Sequence, residues 1–561
     1  MVNKKFNVEN MGQITISDKD YLASGGEASI YKNDKFAIKI YHSKKQMLSL
    51  GKIKELQEIK DKNVLLPKNV VYQGSTPVGY LMDFKPNTHC LCKLFTKTFK
   101  DSNKISHDDI SSLVGNMQET VKNIHKAKCL VVDFNELNEL VSSSFKNVYF
   151  IDVDSYQTPS FRATAIMENI RDRLIKNNQW NEGSGWFSFA ILSFQMWIGI
   201  HPYKGKHPDF KSSEWGERME KGISVFDKNA VLPRTCNNIS VIPNSHLRWF
   251  KDVFENKTRE EPPKVGEIIA VVAIPTKFKI IPSNKSIKTE LKYTCPEKIL
   301  KIFNFVGVNY VVGKKHLYKE NVVLPIDISD DDKTIMCSSD RGDPIVCSLK
   351  NDLISFKKIN GDKIGEIGGA DMILRNNNLY SFCNGKIIEN VFTSFGSKIL
   401  HAVGNSYSVM PLSTKLYKGM ILQDILGKKY FTIPYKKGSV ANVYIPELDS
   451  FRVLDACSDK NVCAVIAERK GEYCCFVFTF EDNFEKYICR EIKDVQYLNV
   501  NFTVLNNGVC VFAKNTEVEI FIGKNIKVVD NPPFDSTTQL LNISNEVFYV
   551  EDNELISVKM S

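Results

Sequence analysis

Apolar side chains recur at helical spacing in two stretches of the first half of the chain. Over residues 110–126 and 186–200 they fall three and four positions apart, the interval that lines one face of an α-helix. Short strand-like runs accompany them, among them Phe36-Ala-Ile-Lys39 and Val148-Tyr-Phe-Ile-Asp152. Past about residue 290 the rhythm changes. Short β-type runs at 306–312, 474–480 and 547–550 are separated by turn clusters such as Asn376-Asn377-Asn378 and Asn506-Asn507-Gly508. A passage rich in Pro and Lys, from Glu260-Glu261-Pro262-Pro263 to Pro282-Ser283, divides the two patterns. The chain is therefore expected to be multidomain, with an α+β unit over residues 15–270, a linker over 271–290 and an all-β unit over 291–561.

One short form recurs in the all-β part: Asn351-Asp-Leu-Ile-Ser355, Asn377-Asn-Leu-Tyr-Ser381 and Asn553-Glu-Leu-Ile-Ser557. Each fits a turn residue feeding a strand whose side chains alternate between two faces. The spacing of the three is irregular, yet so many short antiparallel strands in one unit predict a degenerate β-propeller, with a pair of sandwiches as the alternative.

Composition narrows the function classes. In 561 residues, 43% are hydrophobic and 25% charged, the balance of a water-soluble globular protein too long for one core. No apolar run reaches the length of a membrane span, and the lysines of MVNKKFNVENMGQ have no apolar stretch behind them. A cytoplasmic protein without a membrane partner is expected. The 14 cysteines are scattered. Neither the His89-Cys90-Leu-Cys92 cluster nor Cys474-Cys475 supplies paired CxxC knuckles for zinc, so buried thiols are expected. A net charge of +9 is thin over this length and does not indicate nucleic acid.

The residues that carry chemistry lie in the first half. Tyr21-Leu-Ala-Ser-Gly25-Gly26-Glu-Ala-Ser-Ile30 reads as strand, tight turn and returning strand, and glycines there let backbone amides approach phosphate oxygens. Lys39 ends the next strand. After a helix, Asp133 and Asn138 stand five residues apart, and Asp152 ends the apolar run from Val148. Two carboxylates and an amide at the ends of paired short strands supply oxygen ligands suited to Mg²⁺, which takes one or two carboxylates together with substrate phosphates.

This ordered set resembles the protein-kinase-like superfamily, and the form Ile151-Asp-Val-Asp-Ser-Tyr-Gln157 is similar to divergent bacterial and phage serine/threonine kinase-like proteins. The resemblance covers residues 15–270 and implies a bilobal α+β domain that binds ATP and Mg²⁺. Gly25 and Gly26 would belong to the glycine-rich loop, whose first and third glycines are Ala23 and Ala28 here. Lys39, after Ala37, would hold the α- and β-phosphates. Glu55, or its near neighbour Glu58, would pair with Lys39 from the following helix. Met82, Asp83 and Phe84 would form the hinge that receives adenine. Asp133 would be the catalytic aspartate, and Asn138 and Asp152 the metal ligands. Residues 186–194 resemble the buried central helix of the large lobe, with Gly185 where its anchoring aspartate usually stands. Arg259 would brace the activation segment, with Glu168 or Glu182 as its partner. The function implied is transfer of the γ-phosphoryl group of ATP to serine or threonine hydroxyls, with the β-rich half engaging a protein substrate or partner. The alternative is a pseudokinase scaffold that binds nucleotide and partners without catalysis.

Overall fold

Alternation of apolar and polar residues at the start of the chain builds a seven-stranded sheet. The computed structural model describes residues 4–560, apart from 164–165, 266–286, 306, 329–332, 437–438, 482–483 and 485. The chain divides into two compact units, Met1–Ile280 with Arg469–Glu472, and Ile281–Glu468 with Tyr473–Ser561. The expected linker at 271–290 falls largely outside the described residues, and from Ile287 the chain is already strand.

In the first unit the strands are β1 (Lys4–Val8), β2 (Gly12–Ile16), β3 (Tyr21–Ser24), β4 (Ala28–Asn33), β5 (Phe36–Tyr41), β6 (Asn69–Gln73) and β7 (Thr76–Asp83), joined antiparallel in the order β2-β1-β6-β7-β5-β4-β3. The sheet thus begins before residue 15, because β1 pairs with both β2 and β6. Ile38, Val71 and Leu81 pack with Phe6, Val8 and Ile16 on one face. Ala28, Ala37, Tyr41, Tyr80 and Met82 share the other. A short helix, α1 (Leu50–Leu56), follows β5, started by Ser49, whose hydroxyl accepts from the Lys52 amide at 3.2 Å.

Beyond the sheet the unit becomes mainly helical, with β8 (Thr88–Cys90), α2 (Lys97–Ser102), α3 (His107–Lys126), β9 (Glu139–Ser142), β10 (Val148–Phe150), α4 (Glu182–Ile198), α5 (Trp215–Lys221) and α6 (Asn244–Phe254). A capping box starts α3: the Ser106 hydroxyl accepts from the Asp109 amide, and the Asp109 carboxylate accepts from the Ser106 amide. Ile110, Leu113, Val114, Met117, Val121 and Ile124 then form its buried stripe. In α4 every residue from Ser184 to Ile198 is buried, which is why that run is apolar on all sides. Phe189 packs edge-on against Trp186 and Trp249, and Phe194 against Phe226, Phe250 and Phe254. The helix stops at Gly199, where φ is +92° and a side chain would meet the Phe95 carbonyl. Strands β8, β9 and β10 form a small sheet in the order β10-β9-β8. Among the described residues no helix is long and apolar enough to cross a membrane.

The second unit is all-β. Its described residues form seven four-stranded sheets. Six are built from consecutive strands, spanning residues 301–327, 333–368, 371–408, 414–444, 452–492 and 502–530. The seventh joins the first strand, Ile287–Thr294, to the last three, with Glu554–Met560 paired antiparallel on both sides. The Asn-rich clusters are hairpin turns: Asn376 and Asn377 both have positive φ between the paired Arg375 and Asn378, as a type I′ turn requires. Cys337, Cys347, Cys463 and Cys475 are buried, in keeping with thiols used as small apolar side chains.

Candidate functional site

The pleat of β5 decides which way its lysine points. Ile38 faces the first apolar cluster, so Ala37, Lys39 and Tyr41 share the opposite face. Tyr80 stands directly across from Lys39 on β7. Lys39 Nζ donates to Asp152 Oδ1 at 2.6 Å and to Asp154 Oδ2 at 2.7 Å, more than a hundred residues away in sequence. Side-chain exposure is 9% for Lys39 and 11% for Asp154, but 46% for Asp152. Burial alone would lower the proton affinity of Lys39; the charges of Asp152 and then Asp154 more than reverse this and hold it protonated. Asp152 itself lies in the left-handed region, φ 55° and ψ 46°, a conformation that Asp tolerates better than most side chains.

Asp133 and Asn138 meet in the loop before β9. The Asp133 carboxylate accepts from the Met167 amide at 2.9 Å, from Asn135 Nδ2 at 3.0 Å and from Asn138 Nδ2 at 3.4 Å. Burial is the largest influence on it and raises its proton affinity, against the lowering effect of the Met167 amide. Asn138 thus directs its amide nitrogen to Asp133 and keeps its amide oxygen for other use. The Ile151 amide donates to the Asn138 carbonyl at 2.8 Å, tying the Asn138 loop to the residue before Asp152. Asn135, which sequence reading passed over, is wholly buried and braces the same carboxylate.

Gly25 and Gly26 connect β3 to β4, with the Gly25 amide donating to the Ala28 carbonyl at 2.9 Å. Neither has positive φ, and a side chain on either would meet nothing within 4 Å. The turn itself does not demand glycine. Ala37 and Met82 lie opposite each other on β5 and β7. With Ala28 and Leu65 they form a buried apolar patch, flanked by Phe84 and Tyr149. The Phe84 amide donates to the Lys35 carbonyl at 3.0 Å, and Asp83 is paired with Lys68 at 2.7 Å.

Two expected pairings are replaced by others. Glu55 does not meet Lys39; its carboxylate accepts from the Ser160 amide at 3.0 Å. The reason lies in α1, whose buried face carries Lys52, Ile53 and Leu56. Lys52, not Glu55, turns inward, and its Nζ donates to the Asp154 carbonyl at 2.6 Å. Arg259 pairs with Asp172 rather than with Glu168 or Glu182; Glu168 is taken by Arg171 and Arg173.

Asp154 is the centre of this cluster. Besides Lys39, its carboxylate accepts from Tyr41 on Oδ2 and from Tyr80 on Oδ1, the latter at 2.8 Å. Burial, then the Asp154 charge, raises the Tyr80 phenol well above its ordinary range, so it remains a donor. The signal was present in the sequence: Tyr41 is two residues from Lys39 on one strand and so shares its face.

Among the described residues no group of three or more His, Cys, Asp or Glu side chains is placed to hold a metal. What the site offers is smaller, the half-exposed Asp152 carboxylate and the Asn138 amide oxygen. Both are hard oxygen donors of the type Mg²⁺ takes, two at most, so phosphate and water oxygens would have to supply the rest. No protein-family model matches the chain, and no curated protein matches its sequence.

Proposed function

We propose that the first unit is a protein-kinase-like, ATP-dependent phosphotransferase acting on serine or threonine hydroxyls of proteins, and that the second unit is a seven-bladed β-propeller that engages a protein substrate or partner. One observation carries the first part: a lysine on the sheet bonded to a carboxylate after β10, beside a second loop in which Asn138 donates to Asp133. This grouping supports the reading, because phosphoryl transfer from ATP uses a lysine, an aspartate, an asparagine and a second aspartate in these roles. The four-strand repetition, with the first strand completing the last sheet, supports the second part.

In this reading Lys39 neutralises charge on the nucleotide phosphates. The apolar patch around Ala37 and Met82 receives the adenine ring, and the amides of the Gly25-Gly26 turn approach the phosphates. Asp133 orients the acceptor hydroxyl and takes its proton, a task suited to a buried carboxylate of raised proton affinity. Asn138 and Asp152 would hold Mg²⁺, which supplies charge neutralisation between phosphate oxygens. The test is incubation of the full chain with Mg²⁺, γ-labelled ATP and a protein acceptor, beside Asp133→Asn. Label transferred by the wild type and lost in the variant supports the reading; ATP binding without transfer selects the pseudokinase scaffold. That second reading is favoured by Lys39 being spanned by two carboxylates and by a lysine, Lys52, on the inward face of α1.

A further inference from the structure

The two carboxylates on Lys39 differ in all but distance. Asp152 is nearly half exposed. Asp154 is enclosed, and its carboxylate accepts from Lys39, Tyr41 and Tyr80. All three donors stand on one face of the sheet: Lys39 and Tyr41 two residues apart on β5, and Tyr80 opposite Lys39 on β7. A carboxylate held by three donors from a paired sheet has a single orientation. Its backbone oxygen takes a fourth donor, Lys52 from α1. Sheet, helix and the turn after β10 therefore converge on one residue.

We propose that Asp154 is the positioning residue for Lys39, doing from the turn after β10 what the kinase resemblance assigns to a glutamate on the helix. The inference deepens the phosphotransfer reading and rests on it. Glu55, the expected partner, is held by the Ser160 amide. Asp152, being exposed, is the carboxylate that would be free to hold Mg²⁺ while Lys39 meets a phosphate oxygen. Asp154 stays on Lys39 throughout, so the ammonium meets the phosphates without first having to be oriented. Lys52 ties α1 to the Asp154 backbone, so a shift of that helix is felt at Lys39 through the turn, although no acid on the helix touches it.

The test uses the full chain and a double-mutant cycle on Lys39 and Asp154. Asp154→Asn keeps the size of the side chain and removes its charge. In the folded variant, kcat for transfer from MgATP falls by about tenfold or more, and adding Asp154→Asn to Lys39→Met costs nothing further. Tyr80→Phe, which removes one donor to Asp154, lowers kcat in the same direction by less. The loss at Asp154→Asn exceeds that at Glu55→Gln. A merely structural Asp154 would lower the melting temperature and the folded fraction, leave kcat per folded molecule unchanged, and multiply its effect with that of Lys39→Met. Any of those results, or a larger loss at Glu55→Gln, overturns the proposal while leaving the phosphotransfer reading standing. A wild type that binds no MgATP by calorimetry and transfers no label overturns both. A wild type that binds without transfer moves the same cycle to ATP affinity, where coupling of Asp154 to Lys39 supports the proposal and additivity overturns it.

Discussion

Arg259 grips Asp172 with two prongs, Nε to Oδ2 at 2.6 Å and a terminal nitrogen to Oδ1 at 2.8 Å, and the Asp172 side chain is only 1% exposed. The guanidinium also lies over the Phe187 ring of α4, 4.3 Å from its centre. The pair thus fastens the segment before α4 to the segment after α6. Removing one partner strands a buried charge, so Asp172→Ala or Arg259→Ala should cost about 3 kcal/mol or more of stability in the first unit. Arg259→Lys should recover little, because an ammonium reproduces neither the fork nor the stacking. Thermal melts of the three variants check this, and a full recovery by lysine would show that charge alone matters there.

Two buried histidines make the first unit sensitive to acid. His201, whose Nε2 lies 2.7 Å from the Asn169 carbonyl, has its proton affinity lowered to about 3 by burial, and His246 to about 4 by the same cause. Both are neutral in the fold, while in the unfolded chain they take up a proton near pH 6.5. Stability is therefore complete above that pH and is lost as pH falls toward 4, by about 1.4 kcal/mol per pH unit for each histidine. His201→Gln, which retains an N–H donor, should flatten the fall in melting temperature between pH 6.5 and 4. An unchanged slope would move the acid sensitivity elsewhere.

Much of the outline was legible in the sequence, and the reasons are local. The run in α4 is apolar on all sides because the helix is enclosed, and the Asn376-Asn377 pair marks an I′ turn because both central residues have positive φ. The break between an α/β part and an all-β part shows as a change of rhythm. What could not be read depended on facing. The helix α1 is seven residues long, too short for periodicity to tell whether Lys52 or Glu55 points inward. Asp172 sits between Arg171 and Arg173 and reads as part of a charged loop until burial singles it out. Strand β1 begins with two lysines, so its pairing is masked. The outer strand Lys398–Ser408 is exposed along most of its length and carries no alternation to recognise. Lys39, Asp133, Asn138 and Asp152 were singled out by order and spacing, and the hydrogen bonds of Lys39 to Asp152 and of Asn138 to Asp133 bring them together in pairs. Asp154 required the third dimension, since its partners are spread over β5, β7 and α1.

Lys39 is predicted to matter for the fold as well as for nucleotide. Lys39→Met leaves Asp152 and Asp154 without the cation from which both accept, two like charges no longer offset. The variant should lose transfer by about a hundredfold or more and also melt earlier. Asp152→Ala should abolish transfer, as chelation of Mg²⁺ should, but should spare the melting temperature, because Asp154 still holds the lysine. A variant at Lys39 with wild-type transfer would displace the phosphate site.

The second unit should depend on its last strand. Glu554–Met560 lies between Ile287–Thr294 and Glu546–Glu551, and the adjoining Asn553 exchanges backbone and side-chain hydrogen bonds with Cys295. Truncating the full chain after Asp552 removes the middle of that sheet. The β-rich circular dichroism signal should then melt at a lower temperature, and the protein should aggregate through the bared edges. A truncated chain with an unchanged melt would show that the other six sheets suffice.

That same pairing sets an order of events during synthesis. The strand Ile287–Thr294 leaves the ribosome well before its partner, which at the Glu290–Ser557 contact lies 267 residues downstream. At ordinary rates of elongation the early strand waits for tens of seconds with its edge open. The six consecutive sheets can form in the meantime, each from neighbours, but the sheet that holds Ile287–Thr294 stays incomplete until Glu554–Met560 emerges. This unit therefore folds by local accretion and a single late long-range step, and it is during that interval that a nascent chain most needs a chaperone.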